Sequence, residues 1–169
     1  RDKAAAVSSN VDFSTIRFED DAFDAVLADA SFVRPADIES FVENTIRVAR
    51  TGGDIAIFLP SAGSFGEVFS LLWEALFNED LTEHGAAVET LIAELPTVSR
   101  IEELANRYDM VNVNTQMATE LFEFENGAEF IESPLVADFL MPAWLAMLEE
   151  DEKERVVKQL AQLIDAEEA

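Results

Sequence analysis

An α/β fold with parallel central strands is predicted by three observations within residues 11–60. Residues 23–32 (FDAVLADASF) form a short apolar run of the kind that makes a strand covered on both faces. Ile38, Phe41, Val42, Ile46 and Ala49 then recur at helical spacing. After Gly52 and Gly53, a second short apolar run begins at once, residues 54–59 (DIAIFL). Strand, helix and strand in that order make a βαβ unit, whose strands run parallel.

Each element has its own local reason. Ahead of the unit, residues 4–11 (AAAVSSNV) can form a short strand ending at Asp12, and Glu19, Asp20 and Asp21 make a solvated loop. Pro35 opens the helix where a missing N–H is harmless, and Glu39, Glu43, Arg47 and Arg50 fall largely outside its apolar stripe. Gly52 and Gly53 supply the left-handed backbone of a helix end. Residues 64–78 read as the next helix, opened by a capping box of Ser64 and Glu67, with Phe65, Val68, Phe69, Leu72, Leu76 and Phe77 inward. Trp73 is read as core rather than pocket wall. Residues 81–95 carry Val88, Leu91, Ile92 and Leu95 in helical phase before Pro96 ends the run; His84, near its start, is a surface or capping residue. A second capping box, Ser99 and Glu102, introduces a short helix with Ile101, Leu104, Ala105 and Tyr108.

Alternation of Val111, Val113, Thr115 and Met117 predicts a strand, with a bulge or break near Thr119 where Phe122 and Phe124 leave the phase. Residues 127–148 predict a broken pair of helices, interrupted by Pro134 and Pro142 and rich in Phe130, Phe139, Met141 and Trp144. Such a cluster serves as core or as the cap of an apolar pocket. Residues 150–167 close the chain as an amphipathic helix with Val156, Val157, Leu160, Leu163 and Ile164 inward.

Composition limits the functions open to this chain. A hydrophobic fraction of 49% over 169 residues supports one folded domain with a real core. With 35 Asp and Glu against 11 Lys and Arg, the formal net charge is -24. That surface repels phosphate backbones and anionic lipid, so neither nucleic acid nor a membrane is an expected partner. An acid-rich or halophilic source accounts for the acidity as such. Zero cysteines exclude disulfides, thiolate nucleophiles and sulfur-ligated zinc, and the single histidine leaves no multi-histidine metal site. Residues 1–10 lack the apolar run of a signal peptide, and residues 135–148 fall short of the roughly 20 needed to span a bilayer. A cytoplasmic location is expected.

At residues 12–26 (DFSTIRFEDDAFDAV) the chain resembles the S-adenosylmethionine-dependent methyltransferases of the seven-stranded Rossmann-like type, above all the small-molecule branch. Asp12, Phe18, Asp20, Phe23, Asp24 and Val26 match the segment D-A-x-x-L-P-F-x-D-x-x-F-D-x-V; Phe13, Ile16 and Arg17 replace its usual Ala, Leu and Pro. Residues 48–60 (VARTGGDIAIFLP) are similar to the family's helix, Gly-Gly turn and following strand. The resemblance implies a partial methyltransferase sheet of parallel central strands plus an antiparallel edge strand near residues 111–117, with flanking helices and a helical carboxyl-terminal extension. Within one domain, residues 1–60 would be the cofactor-side region, 61–126 the helices and edge strand, and 127–169 the extension. The glycine-rich loop of the family's first third has no counterpart, since no G-x-G-x-x-G occurs, and neither has the acidic residue that ends its second strand. The expectation is a carboxyl-terminal portion of a longer domain.

By the same resemblance the cofactor is S-adenosylmethionine and the partner a small-molecule methyl acceptor. Asp12 would accept a hydrogen bond from the adenine amino group, with the backbone of Phe13 at a ring nitrogen. Ala28, Asp29 and Ser31 would line the methionine end, beyond the carboxyl end of a strand. Asp12 equally suits a turn, and Asp29 or Ser31 the start of the following helix. No general base is singled out; holding the acceptor and methyl group near attack geometry supplies much of the rate in such chemistry. The other function class is a non-catalytic methyltransferase-like binding or scaffolding domain, and it predicts an exposed sheet edge or apolar patch. Three outcomes are open for the incomplete sheet: residues 4–11 pair with the central strand, a homodimer or another chain completes it, or the chain is a fragment of a longer polypeptide, which is the favoured expectation.

Overall fold

A computed structural model describes residues 17–167 of the chain. It is mixed α/β, and the βαβ unit is present: β1 (Phe23–Asp29) pairs in parallel with β2 (Ala49–Phe58) across the helix α1 (Ile38–Val48). A 3-10 turn, Pro35–Asp37, leads into α1 and places the proline in its first turn. The glycines serve somewhat later than a helix end. α1 stops at Val48, and between the pairs Phe23↔Ala49 and Ala25↔Asp54 the second strand bulges outward. Gly52 takes the left-handed backbone of that bulge at φ 79, while a side chain on Gly53 would stand 2.8 Å from the Asp24 carbonyl oxygen. One glycine is needed for its dihedral, the other for its missing Cβ.

The strands are covered on one face only, which corrects the expectation of two-sided burial. Val26, Ala28, Ile55 and Ile57 are half-buried on the side of α1, where Ala30, Ile38, Val42 and Leu104 make a small core. The alternate residues face solvent: Leu27 is 84% and Phe58 56% exposed. A covering layer on that side is missing among the described residues.

α2 (Gly66–Asn78) and α3 (Gly85–Ala93) build a second, larger core, whereas α4 (Val98–Arg107) adds Ile101 and Leu104 to the small one; α5 (Gly127–Glu132), α6 (Met141–Trp144) and α7 (Glu150–Glu167) complete the larger core. Leu72 and Leu76 of α2, Val88 of α3, and Val156 and Leu160 of α7 are fully buried together with Val136. Phe65, Phe69 and Trp144 meet edge to face at centroid distances of 5.3 to 6.2 Å. Trp73 packs against this core, as its apolar body requires, whereas Phe77 and Ile92 point outward despite their helical phase.

Both capping boxes differ from expectation. Phe65, with a left-handed backbone at φ 63, occupies the cap of α2, and the Ser64 hydroxyl instead accepts from the Ser61 N–H at 3.2 Å. α4 starts two residues earlier than the Ser99 box implies, because Thr97 accepts from the Arg100 N–H at 3.2 Å.

The predicted antiparallel edge strand is absent: residues 110–124 form neither helix nor strand and pair with no strand among the described residues. Val111 is 81% and Leu121 79% exposed. Alternation there meets no sheet edge, and without a ladder an alternating segment is not a strand. The strand expected over residues 4–11 lies outside the described residues.

Candidate functional site

The carboxyl end of the sheet is assembled by the alternation of β1 and β2. In register, Ala28 stands beside Ile57 and Asp29 beside Phe58. Ala28 therefore turns toward α1 and the small core, while Asp29 lies on the open face, about one strand spacing of 4.8 Å from the exposed Phe58. The chain leaves the sheet at that point in a tight turn. Ala30 is buried and donates its N–H to the Phe58 carbonyl at 2.7 Å. Ser31 donates twice to one carboxylate oxygen, from its N–H to Asp29 Oδ1 at 2.9 Å and from its hydroxyl at 2.6 Å.

These bonds decide what the turn offers chemically. The Ser31 hydroxyl, and then the Ser31 N–H, stabilise the charged form and hold the Asp29 carboxyl below the usual carboxylate range. Neither Asp29 nor Ser31 caps the following helix, so the capping alternative fails. The backbone donors of Ala30 and Ser31 are already spent, which leaves the ionised carboxylate, not the main chain, to meet a ligand. Of the five residues expected at a cofactor site, Ala28, Asp29 and Ser31 come together here; Asp12 and Phe13 lie outside the described residues.

An aromatic pair extends the same turn toward the helices. Phe32 stacks on Phe139 with ring centroids 4.6 Å apart and planes at 28°. Both rings stay half-open to solvent, at 50% and 53% exposure. Phe139 sits in a π turn, Val136–Leu140, that precedes Pro142, and such turns recur at functional positions. Sequence reasoning missed this pair, since nothing local links residues so far apart.

A groove of about 430 Å³ lies nearby, between the start of α1 and the α3–α4 connection. Pro35, Ile38, Pro96 and Leu104 line it, with Glu39, Glu94 and Arg100 as its charged groups. Its volume is that of a small-molecule site. Glu39 is ion-paired with Arg107, and Arg100 stands 3.8 Å from it. The Tyr108 phenol is pushed up by partial desolvation and then by the carboxylates of Glu43 and Glu39. His84 turns out to face Glu152 at the start of α7, with Nε2 3.8 Å from Oε2.

Among the described residues no helix is long and apolar enough to cross a membrane. No family model, no curated protein and no solved structure matches this chain.

Proposed function

We propose that this chain is the carboxyl-terminal part of a Rossmann-like S-adenosylmethionine-dependent methyltransferase acting on a small molecule. The observation that supports the reading is the parallel βαβ unit with Asp29, held ionised by Ser31, at the carboxyl end of its first strand. The sequence match over residues 12–26 runs directly into that strand. An exposed carboxylate and a half-buried Ala28 suit the methionine end of the cofactor, while Asp12 and Phe13 would hold its adenine. The cofactor would supply the methyl group, and this chain's part would be to orient it toward the O, N or C of a bound acceptor. Photocrosslinking of S-adenosylmethionine followed by peptide mass mapping tests the assignment. Adducts are expected at residues 12–13 and 28–32; adducts confined to other segments would remove it.

A second reading has its own observation. Leu27 and Phe58 lie bare on the open face of a parallel sheet, an arrangement that natural proteins cover. A methyltransferase-like domain that recruits a second copy or another chain to complete its sheet would account for that face.

A further inference from the structure

We infer that the carboxyl end of the open sheet face is a binding site for an organic cation, a quaternary or protonated amine with an apolar body. The inference uses the Asp29 turn described above and goes beyond the methyltransferase reading, since it holds whether or not the chain binds S-adenosylmethionine. Three observations converge on it. Asp29 is an exposed carboxylate whose charge is fixed by two bonds from Ser31, and no Lys or Arg side chain pairs with it among the described residues. That sets it apart from Asp20, Asp24 and Asp37, each of which holds an arginine. Phe58 stands beside it in register on the same face, and three residues along the turn Phe32 begins the stacked pair with Phe139. All three rings are at least half exposed.

An exposed carboxylate beside exposed aromatic rings is a combination that recognises onium groups, because the ring quadrupole and the full charge attract the same cation. The aromatic faces also distinguish an organic cation from a hydrated metal ion, to which they offer no oxygen ligand. The field of the whole chain, with its net charge of -24, concentrates cations near the surface and disfavours anionic ligands. The stacked pair joins the turn after β1 to the helical half.

The test is a titration with choline and with its neutral isostere 3,3-dimethylbutan-1-ol, read from the aromatic resonances of the 169-residue chain. In 1 M salt the Debye length is about 3 Å, so diffuse attraction to the acidic surface is screened out. Choline is expected to saturate with shifts at Phe32, Phe58 and Phe139, and the alcohol to bind at least about fivefold more weakly. Asp29→Asn, which keeps an acceptor for Ser31, and Phe139→Leu, at a half-exposed position, should each weaken choline by about threefold to fivefold. Equal binding of the alcohol, absence of saturation, or variants that bind like the parent would overturn the inference. S-Adenosylhomocysteine titrated in parallel separates the two readings. Its binding without choline selectivity removes the cation site alone; choline selectivity without its binding removes the cofactor assignment alone.

Discussion

At the residue scale the molecule's clearest chemical feature is the pair of bonds from Ser31 to one oxygen of Asp29. Both favour the ionised carboxylate, so its folded-state pKa lies below the unfolded one. Such a group stabilises the fold above the unfolded pKa of about 3.9, and the contribution is lost as pH falls through the lowered value. Replacing Ser31 with Ala should return the Asp29 titration toward the ordinary range, as read by the pH dependence of its carboxyl carbon signal. An unmoved titration would mean the hydroxyl bond does not form in solution, since the backbone N–H of residue 31 remains in the variant. Asp29 and Ser31 are singled out in the sequence by the family resemblance and by their place beyond the carboxyl end of a strand. Phe139 is not, because its partner Phe32 is brought to it only by tertiary packing.

At the element scale the helices carry the stability. α5 meets α7 at a glycine: the Gly127 N–H donates to Asp165 at 2.7 Å, and a Cβ there would lie 2.1 Å from the Ala161 carbonyl oxygen. Gly127→Ala must push the two helices apart, and a loss of about 1–3 kcal/mol is expected in a denaturant titration. An unchanged midpoint would contradict this packing. α7 was read to the residue, since eighteen residues of unbroken periodicity leave one solution. The start of α4 differs because Thr97 and Ser99 compete for its cap, and that of α2 because Phe65, in a left-handed conformation, takes the cap position in place of Ser64. The edge strand over residues 111–117 was misread for a different reason: alternation describes one strand, whereas pairing requires a second.

At the scale of the whole molecule, two cores stand side by side, a helical one and a thin layer of α1 and α4 on one face of a two-stranded sheet. The order of elements was legible throughout, yet the bare face was not, since an apolar run of seven residues reads the same whether one face is covered or two. That face should drive association once the repulsion of a net charge of -24 is screened. In sedimentation at 1 M salt the chain should exceed its monomer mass of 18.7 kDa, and Leu27→Glu should restore it. A parent that stays monomeric would count against a homodimer. We propose that this chain carries part of an S-adenosylmethionine site, and the first measurement is a calorimetric titration with S-adenosylhomocysteine. Saturable binding that Asp12→Ala weakens about tenfold or more is expected, the loss that follows removal of a hydrogen bond to a charged group. A folded chain that takes up no S-adenosylhomocysteine would contradict it.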